Sequence, residues 1–184
     1  MGAPILVLYA HPRPELSRVN QAMAEAVRDL PEVVVRDLYG LYPDYVIDVD
    51  AEQQAVRQAD ILVWHHPLQW YSGPPILKEW IDVVLARGWA YGHGGTALRG
   101  KLVLSAVSTG GKPEAYQREG FHGHTVPDFL RPYERTATLC GMKYLEPFVF
   151  YGSYAATETQ VHEHAEAYRA HLQSLAKQRA AEHG

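Results

Sequence analysis

Short apolar runs alternating with stretches of helical periodicity set the tightest limit on how this chain can fold. Pro4 to Ala10, Val33 to Val35, Ile61 to Trp64 and Leu102 to Val107 are apolar at nearly every position, and Tyr144 to Tyr151 reads as a fifth strand. A run without polar alternation suits a strand covered on both faces. Between the runs, apolar residues recur every three or four positions. Met23, Ala26, Val27 and Leu30 do so behind Ser17, a candidate helix cap, and Pro31 ends that stretch. Ala51, Ala55 and Val56 mark a helix from about 50 to 59, and residues 39–50 before it read as a loop. Ile76, Leu77, Trp80, Ile81, Val84 and Leu85 mark another helix, with Pro75 suited to its first turn. Residues 129–139 and 155–181 read as the last two, the latter turning Ala165, Tyr168, Leu172 and Leu175 inward.

Strand and helix in alternation imply an α/β fold, a doubly wound parallel sheet with helices on both faces. Right-handed crossovers leave few topologies, and five strands beginning with a strand favour the order 2-1-3-4-5. No repeat, linker or low-complexity tract interrupts the pattern, so residues 1–184 are expected to form a single domain. Open sheets of this type bind ligands at the carboxyl ends of their strands, beside the point where strand order reverses. That rule selects three loops: 11–17, 66–74 and 108–123.

Composition excludes several classes. A net charge of −4 argues against nucleic acid. The single cysteine, Cys140, rules out an intrachain disulfide and is expected in the core. No apolar run is long enough to cross a membrane, so a cytoplasmic protein is expected. Ten histidines invite a metal reading. His65 and His66 would point to opposite faces of a strand. His122 and His124 lack a nearby carboxylate, and His162, His164, His171 and His183 show no H-E-x-x-H pattern. No metal is expected.

The three loops carry the unusual residues. In the first, Ser17 and Asn20 at a helix start would suit a phosphate, although Ser17 as a plain cap and Asn20 facing water is the simpler reading. Neither a G-x-G-x-x-G nor a G-x-x-x-x-G-K-[ST] motif occurs. In the second, Trp70 and Tyr71 would find a partner in a flat aromatic cofactor, or equally under the loop or at a subunit contact. In the third, Ser108-Thr109-Gly110-Gly111 allows close backbone approach, though Gly-Gly is commonly just a turn. Tyr116 and His122 downstream bear groups able to donate protons to an oxyanion.

Together these segments resemble the flavodoxin-like NAD(P)H:quinone oxidoreductases. Tyr9-Ala10-His11-Pro12 with Ser17 and Asn20 is similar to the family's phosphate loop, Pro67-Leu68-Gln69-Trp70-Tyr71 to its isoalloxazine loop, and Ser108-Thr109-Gly110-Gly111 to its third flavin loop. Trp89 to Leu98 resembles the bacterial branch that includes ancillary subunits of glutathione-regulated potassium-efflux systems. The similarity spans roughly residues 5 to 175.

The resemblance implies a flavodoxin-like fold. It further implies that His11, Ser17, Arg18, Val19 and Asn20 hold the flavin phosphate and ribityl chain. Leu68, Gln69, Trp70 and Tyr71 would line the ring, and Ser108, Thr109, Gly110 and Gly111 would meet its polar edge. In quinone reductases of this family a Tyr and a His follow the Gly-Gly pair by five and eleven residues. Tyr116 and His122 stand at those spacings from Gly111, and Tyr91 resembles a further pocket tyrosine. The implied chemistry is two-electron hydride transfer from NAD(P)H through flavin to a quinone in a ping-pong cycle. FMN is the cofactor expected for a chain of this length, with FAD the alternative. A homodimer with the flavin sites at its interface is implied as well. The alternative is a regulatory subunit of a potassium-efflux transporter, peripheral on the inner face of the membrane.

Overall fold

The computed structural model describes residues 4–182. Strands β1 (Ile5–Tyr9), β2 (Val33–Asp37), β3 (Ile61–Pro67) and β4 (Leu102–Ser108) form a parallel sheet, with β5 (Lys143–Tyr144) and β6 (Phe148–Phe150) both paired to β4. The order β2-β1-β3-β4-β5 is the expected one. The fifth strand is not continuous as expected. Pro147 has no N–H for the ladder, so 143–150 pairs in two short pieces flanking it.

Helices α1 (Val19–Glu25) and α7 (Glu158–Glu182) cover one face, where Ile5, Val7, Ile61, Val63 and Leu104 are buried with Val161, Tyr168 and Leu172. The short α2 (Leu38–Leu41), α3 (Val49–Gln58), α4 (Pro75–Val84), α5 (Val126–Phe129) and α6 (Arg131–Leu139) lie on the other, over Leu6, Leu8, Leu62, Trp64 and Val103. Alternate residues of each central strand serve opposite layers, which is why these strands are apolar throughout.

Local departures have local causes. Helix α1 starts after Arg18, not after Ser17, because a single 3-10 turn over 14–16 consumes Ser17 as its end. Ser17 Oγ still accepts from the N–H of Gln21 at 3.2 Å. Part of the expected 39–50 loop is α2, capped by the Asp37 side chain on Gly40 N–H. Asp48 caps α3 in the same way. The expected 129–139 helix starts earlier and breaks at Leu130, where Pro132 ends the first piece and opens the second. Strand β3 runs three residues further than its apolar run, so His65, His66 and Pro67 belong to the sheet. His65 contacts Tyr9 and Tyr168 on one face, and His66 contacts Tyr133 on the other.

A buried carboxylate fixes the second layer. Glu52 of α3 is fully buried. Its Oε1 accepts from Arg36 Nε at 2.7 Å and Tyr42 Oη at 2.6 Å, and its Oε2 from Trp80 Nε1 at 2.8 Å. β2, α3 and α4 are thereby joined through one fully partnered charge. Cys140 is buried, as expected. Among the described residues no helix is long and apolar enough to cross a membrane.

Candidate functional site

Two adjoining hollows lie at the carboxyl ends of β1, β3 and β4. The first, about 330 Å³, is polar and lies between the start of α1 and the β3 and β4 loops. His11, Ser17, Arg18, Val19, Asn20, Leu68, Gln69, Ser108 and Gly110 line it, all from the expected set. Asn20 is 3% exposed, which overturns the reading that it faces water. Its Nδ2 donates to Ser108 Oγ at 2.7 Å, while its Oδ1 is buried with no partner. An unpaired buried acceptor costs roughly 1–3 kcal/mol unless something donates to it. His11 Nδ1 accepts from Arg13 N–H at 3.2 Å, and burial holds the ring's pKa below its ordinary value. Arg13 and Arg18 add exposed positive charge at the rim.

The second hollow, about 240 Å³, is aromatic. Trp70, Tyr71, Gly111, Tyr116 and His122 line it together with Leu68, Gly110 and Tyr154, which it shares with the first. The β3 loop makes a two-residue hairpin here. Gln69 and Ser72 exchange both backbone hydrogen bonds, at 2.9 and 3.0 Å, across Trp70 and Tyr71. Both central residues have positive φ, 49° and 64°. That is the geometry for which Asn-Gly is usual. Two bulky aromatics there carry strain on the order of 1–3 kcal/mol each, and such strain clusters at ligand sites. The turn is braced from behind by Tyr133 of α6, whose hydroxyl accepts from Gly73 N–H at 3.0 Å. Trp70 is 95% exposed, so packing beneath the loop is excluded for it.

Tyr116 and His122 are brought together as a stacked pair, ring centroids 4.3 Å apart. A Cβ built on Gly111 would lie 3.0 Å from Tyr116 Cε2 and 3.4 Å from His122 Nε2, so glycine lets the backbone approach both rings. Tyr71 Oη and His122 Nδ1 are 3.4 Å apart, a long contact. Thr109 backs the loop from within: its Oγ1 donates to Gly111 O at 3.0 Å, and its N–H to Phe150 O at 2.8 Å. Tyr91 lines neither hollow. It lies in the 86–97 loop, bridged to Arg87. Among the described residues no three His, Cys, Asp or Glu side chains converge on a metal-sized site. His183 lies outside the described residues.

Sequence reasoning missed Arg13, Leu16, Ser153 and Tyr154, which also line the groove. The last two follow the fifth strand, at another carboxyl strand end, so the rule that selected the other loops applied to this one too. Larger hollows lie elsewhere: one of about 440 Å³, mostly apolar, against Leu6, Val34, Ala55 and Ala59, and one of about 560 Å³ between α1 and α7. Neither lies at the carboxyl ends of the strands, so volume alone is a poor guide to the site.

A family model described as a flavodoxin-like fold matches residues 3–172. The chain belongs to that family. The glutathione-regulated potassium-efflux system ancillary protein KefF of Klebsiella pneumoniae (strain 342) is 47% identical over 168 residues, covering 91% of this chain and 94% of its own. General stress protein 14 of Treponema denticola, solved in complex with FMN, is 41% identical with a TM-score of 0.89, over 94% of this chain and 99% of that one. An NADPH-quinone reductase of P. pentosaceus is 29% identical with a TM-score of 0.82, over 91% and 96%. A structure named a thermophilic tryptophan halogenase, from Streptomycin violaceusniger, is 47% identical with a TM-score of 0.89, over 91% and 97%. One flavodoxin-like frame thus appears under several activity names, and function has to be argued from the groove.

Proposed function

We propose that this chain is an FMN-dependent NAD(P)H:quinone oxidoreductase working as one flavodoxin-like unit. The observation that carries this reading is the joined groove: a polar hollow with an unsatisfied buried acceptor runs, through Leu68 and Gly110, into an aromatic hollow walled by a strained turn. A phosphate on a polyhydroxy chain attached to a flat ring has that same polarity profile. FMN is present in the complex solved for the T. denticola relative. FAD, the larger flavin, is the alternative.

When bound, the flavin supplies hydride acceptance and donation. The chain supplies the rest. Arg18 and the backbone at the start of α1 balance phosphate charge, helped by Ser17 and His11. Asn20 Oδ1 would accept a hydrogen bond from a ribityl hydroxyl and so lose its burial penalty. Leu68, Gln69, Trp70 and Tyr71 form the wall beside the ring. Gly110 and Gly111, kept without side chains, present backbone to its polar edge, with Ser108 and Thr109 fixing that loop. Tyr116 holds His122 by stacking, and the imidazole N–H can pass a proton to a quinone oxygen. NAD(P)H and quinone use the same open aromatic end in turn. Tyr91 joins the site only if a second copy brings it there, which is the arrangement expected of a homodimer. A cytoplasmic location follows from the same reading.

Yellow protein that is bleached by NAD(P)H and restored by a quinone is the expected result, with released flavin co-migrating with FMN. Tyr116→Phe combined with His122→Gln should slow quinone reduction about 10²-fold, the lower end for a lost proton donor, with flavin retained. Colourless protein that takes up neither FMN nor FAD would sink the proposal. A second reading is favoured by the 47% identity to a potassium-efflux ancillary protein: a regulatory flavoprotein on such a transporter, with the reductase activity secondary. Transporter activation by the double variant at undiminished strength would favour that role.

A further inference from the structure

The polar and aromatic hollows share three lining residues: Leu68, Gly110 and Tyr154. A ligand that touches both Asn20 and the Trp70–Tyr71 turn crosses the boundary that these three residues form. Leu68 is fixed, since its N–H donates to Ser108 O at 2.8 Å and its side chain packs on the core. Gly110 has no side chain to move. Tyr154 differs from both. It is 91% exposed, and among the described residues its hydroxyl makes no hydrogen bond.

Its ring nevertheless rests on the Gly110 backbone. A Cβ built at 110 would lie 2.2 Å from Tyr154 Cε2, closer than any real contact, so the ring occupies the space a side chain would take. The backbone beneath is held firmly. Gly152 N–H donates to Gly111 O at 2.8 Å and Ser153 N–H to Thr109 O at 2.9 Å. A pinned backbone bearing a free, exposed aromatic ring over the boundary between two hollows is the construction of a gate. Rotation about χ1 alone moves the ring, at a cost of a few contacts.

We propose that Tyr154 gates the flavin groove: its ring must swing off Gly110 to admit the flavin and closes the passage again behind it, controlling entry and escape. This rests on the flavin reading above. The gate acts through the ring face and not the hydroxyl, because no partner holds that hydroxyl.

Stopped-flow quenching of FMN fluorescence by flavin-free protein, with release followed by competition, gives both rate constants without any turnover. Tyr154→Ala is expected to raise the association rate about fivefold and the dissociation rate tenfold or more. Tyr154→Phe is expected to match wild type within twofold, and Tyr154→Trp to slow both steps. The site is exposed, so folding should be unaffected; circular dichroism and the melting temperature check this. FMN bound normally by Tyr154→Ala at wild-type rates would overturn the gate and leave the flavin reading standing. Wild-type protein that binds no flavin at all would overturn both.

Discussion

Two polar clusters in this molecule are built on opposite principles. Around Glu52 every oxygen has a donor, and Arg36, Tyr42 and Trp80 from three elements converge on one carboxylate. At the carboxyl ends of the strands, Asn20 Oδ1 is buried without a partner, Arg13 and Arg18 stand exposed, and two aromatics hold positive φ. The closed cluster has no room for a ligand and serves the fold. The open one carries unmet hydrogen bonding and strain that a ligand would relieve. Polar residues inside a protein thus divide by whether their partners come from the chain itself or from outside it.

The sharpest way to break this distinction is Glu52→Ala. Removing the carboxylate leaves the Trp80 N–H without its acceptor and Arg36 with only Tyr42 Oη, and stability should fall by about 3–5 kcal/mol. Urea denaturation measures this, and FMN affinity measured where the variant is still folded should stay within twofold of wild type. A large loss of affinity with little loss of stability would reverse the assignment.

Acid should expose the open end next. His65 and His66 lie in β3 beneath the groove, fully buried. Burial pushes their pKa values down to about 3 and about 4, with neighbouring histidine charge a lesser cause for His65. On unfolding each ring returns to about 6.5 and binds a proton below that pH. The unfolded state then holds more protons, so their contribution is complete above pH 6.5 and is lost as pH falls toward 4. The slope is at most ~1.4 kcal/mol per pH unit for each ring. Denaturation between pH 7 and 5 should show a fall of up to about 4 kcal/mol, reduced in His65→Leu. A flat profile would mean that the rings are not sealed.

The smallest effect should come from Asn20→Ala. Flavin affinity is expected to drop roughly tenfold, or about 1.4 kcal/mol. Stability of the flavin-free protein should change by less than about 1 kcal/mol, since the substitution removes both a hydrogen bond to Ser108 and a buried unpaired acceptor. Titration calorimetry and thermal melts separate the two. Equal losses in both would place Asn20 with Glu52, as a part of the fold.

Legibility in the sequence followed the range of the interaction. Runs such as Ile5–Tyr9 and Leu102–Ser108 announced buried strands because double-sided burial demands apolar residues at every position. The apolar run stops short of the end of β3, and the rings that cover His65 and His66 there come from Tyr9, Tyr168 and Tyr133, which no local pattern brings together. Nothing along the chain marks Glu52 as buried either. Its donors come from three separate segments, and no local pattern encodes their meeting. The groove residues fared better, because a strand's carboxyl end can be found by following the chain. Arg13, Leu16, Ser153 and Tyr154 were the exceptions, although their loops obey the same geometry.

By itself, the sequence determined the layer architecture, the strand order and the loops from which the groove is built. Those depend on hydrophobic period and chain connectivity, which are properties of neighbours along the chain. Tertiary structure alone decided the rest. Asn20 meets Ser108 across 88 residues, Tyr133 braces the Trp70–Tyr71 turn across 60, and Tyr154 lies on Gly110. Such contacts follow from how layers pack, and a hydrogen-bonding group's satisfaction or want of a partner is fixed only once every layer is in place.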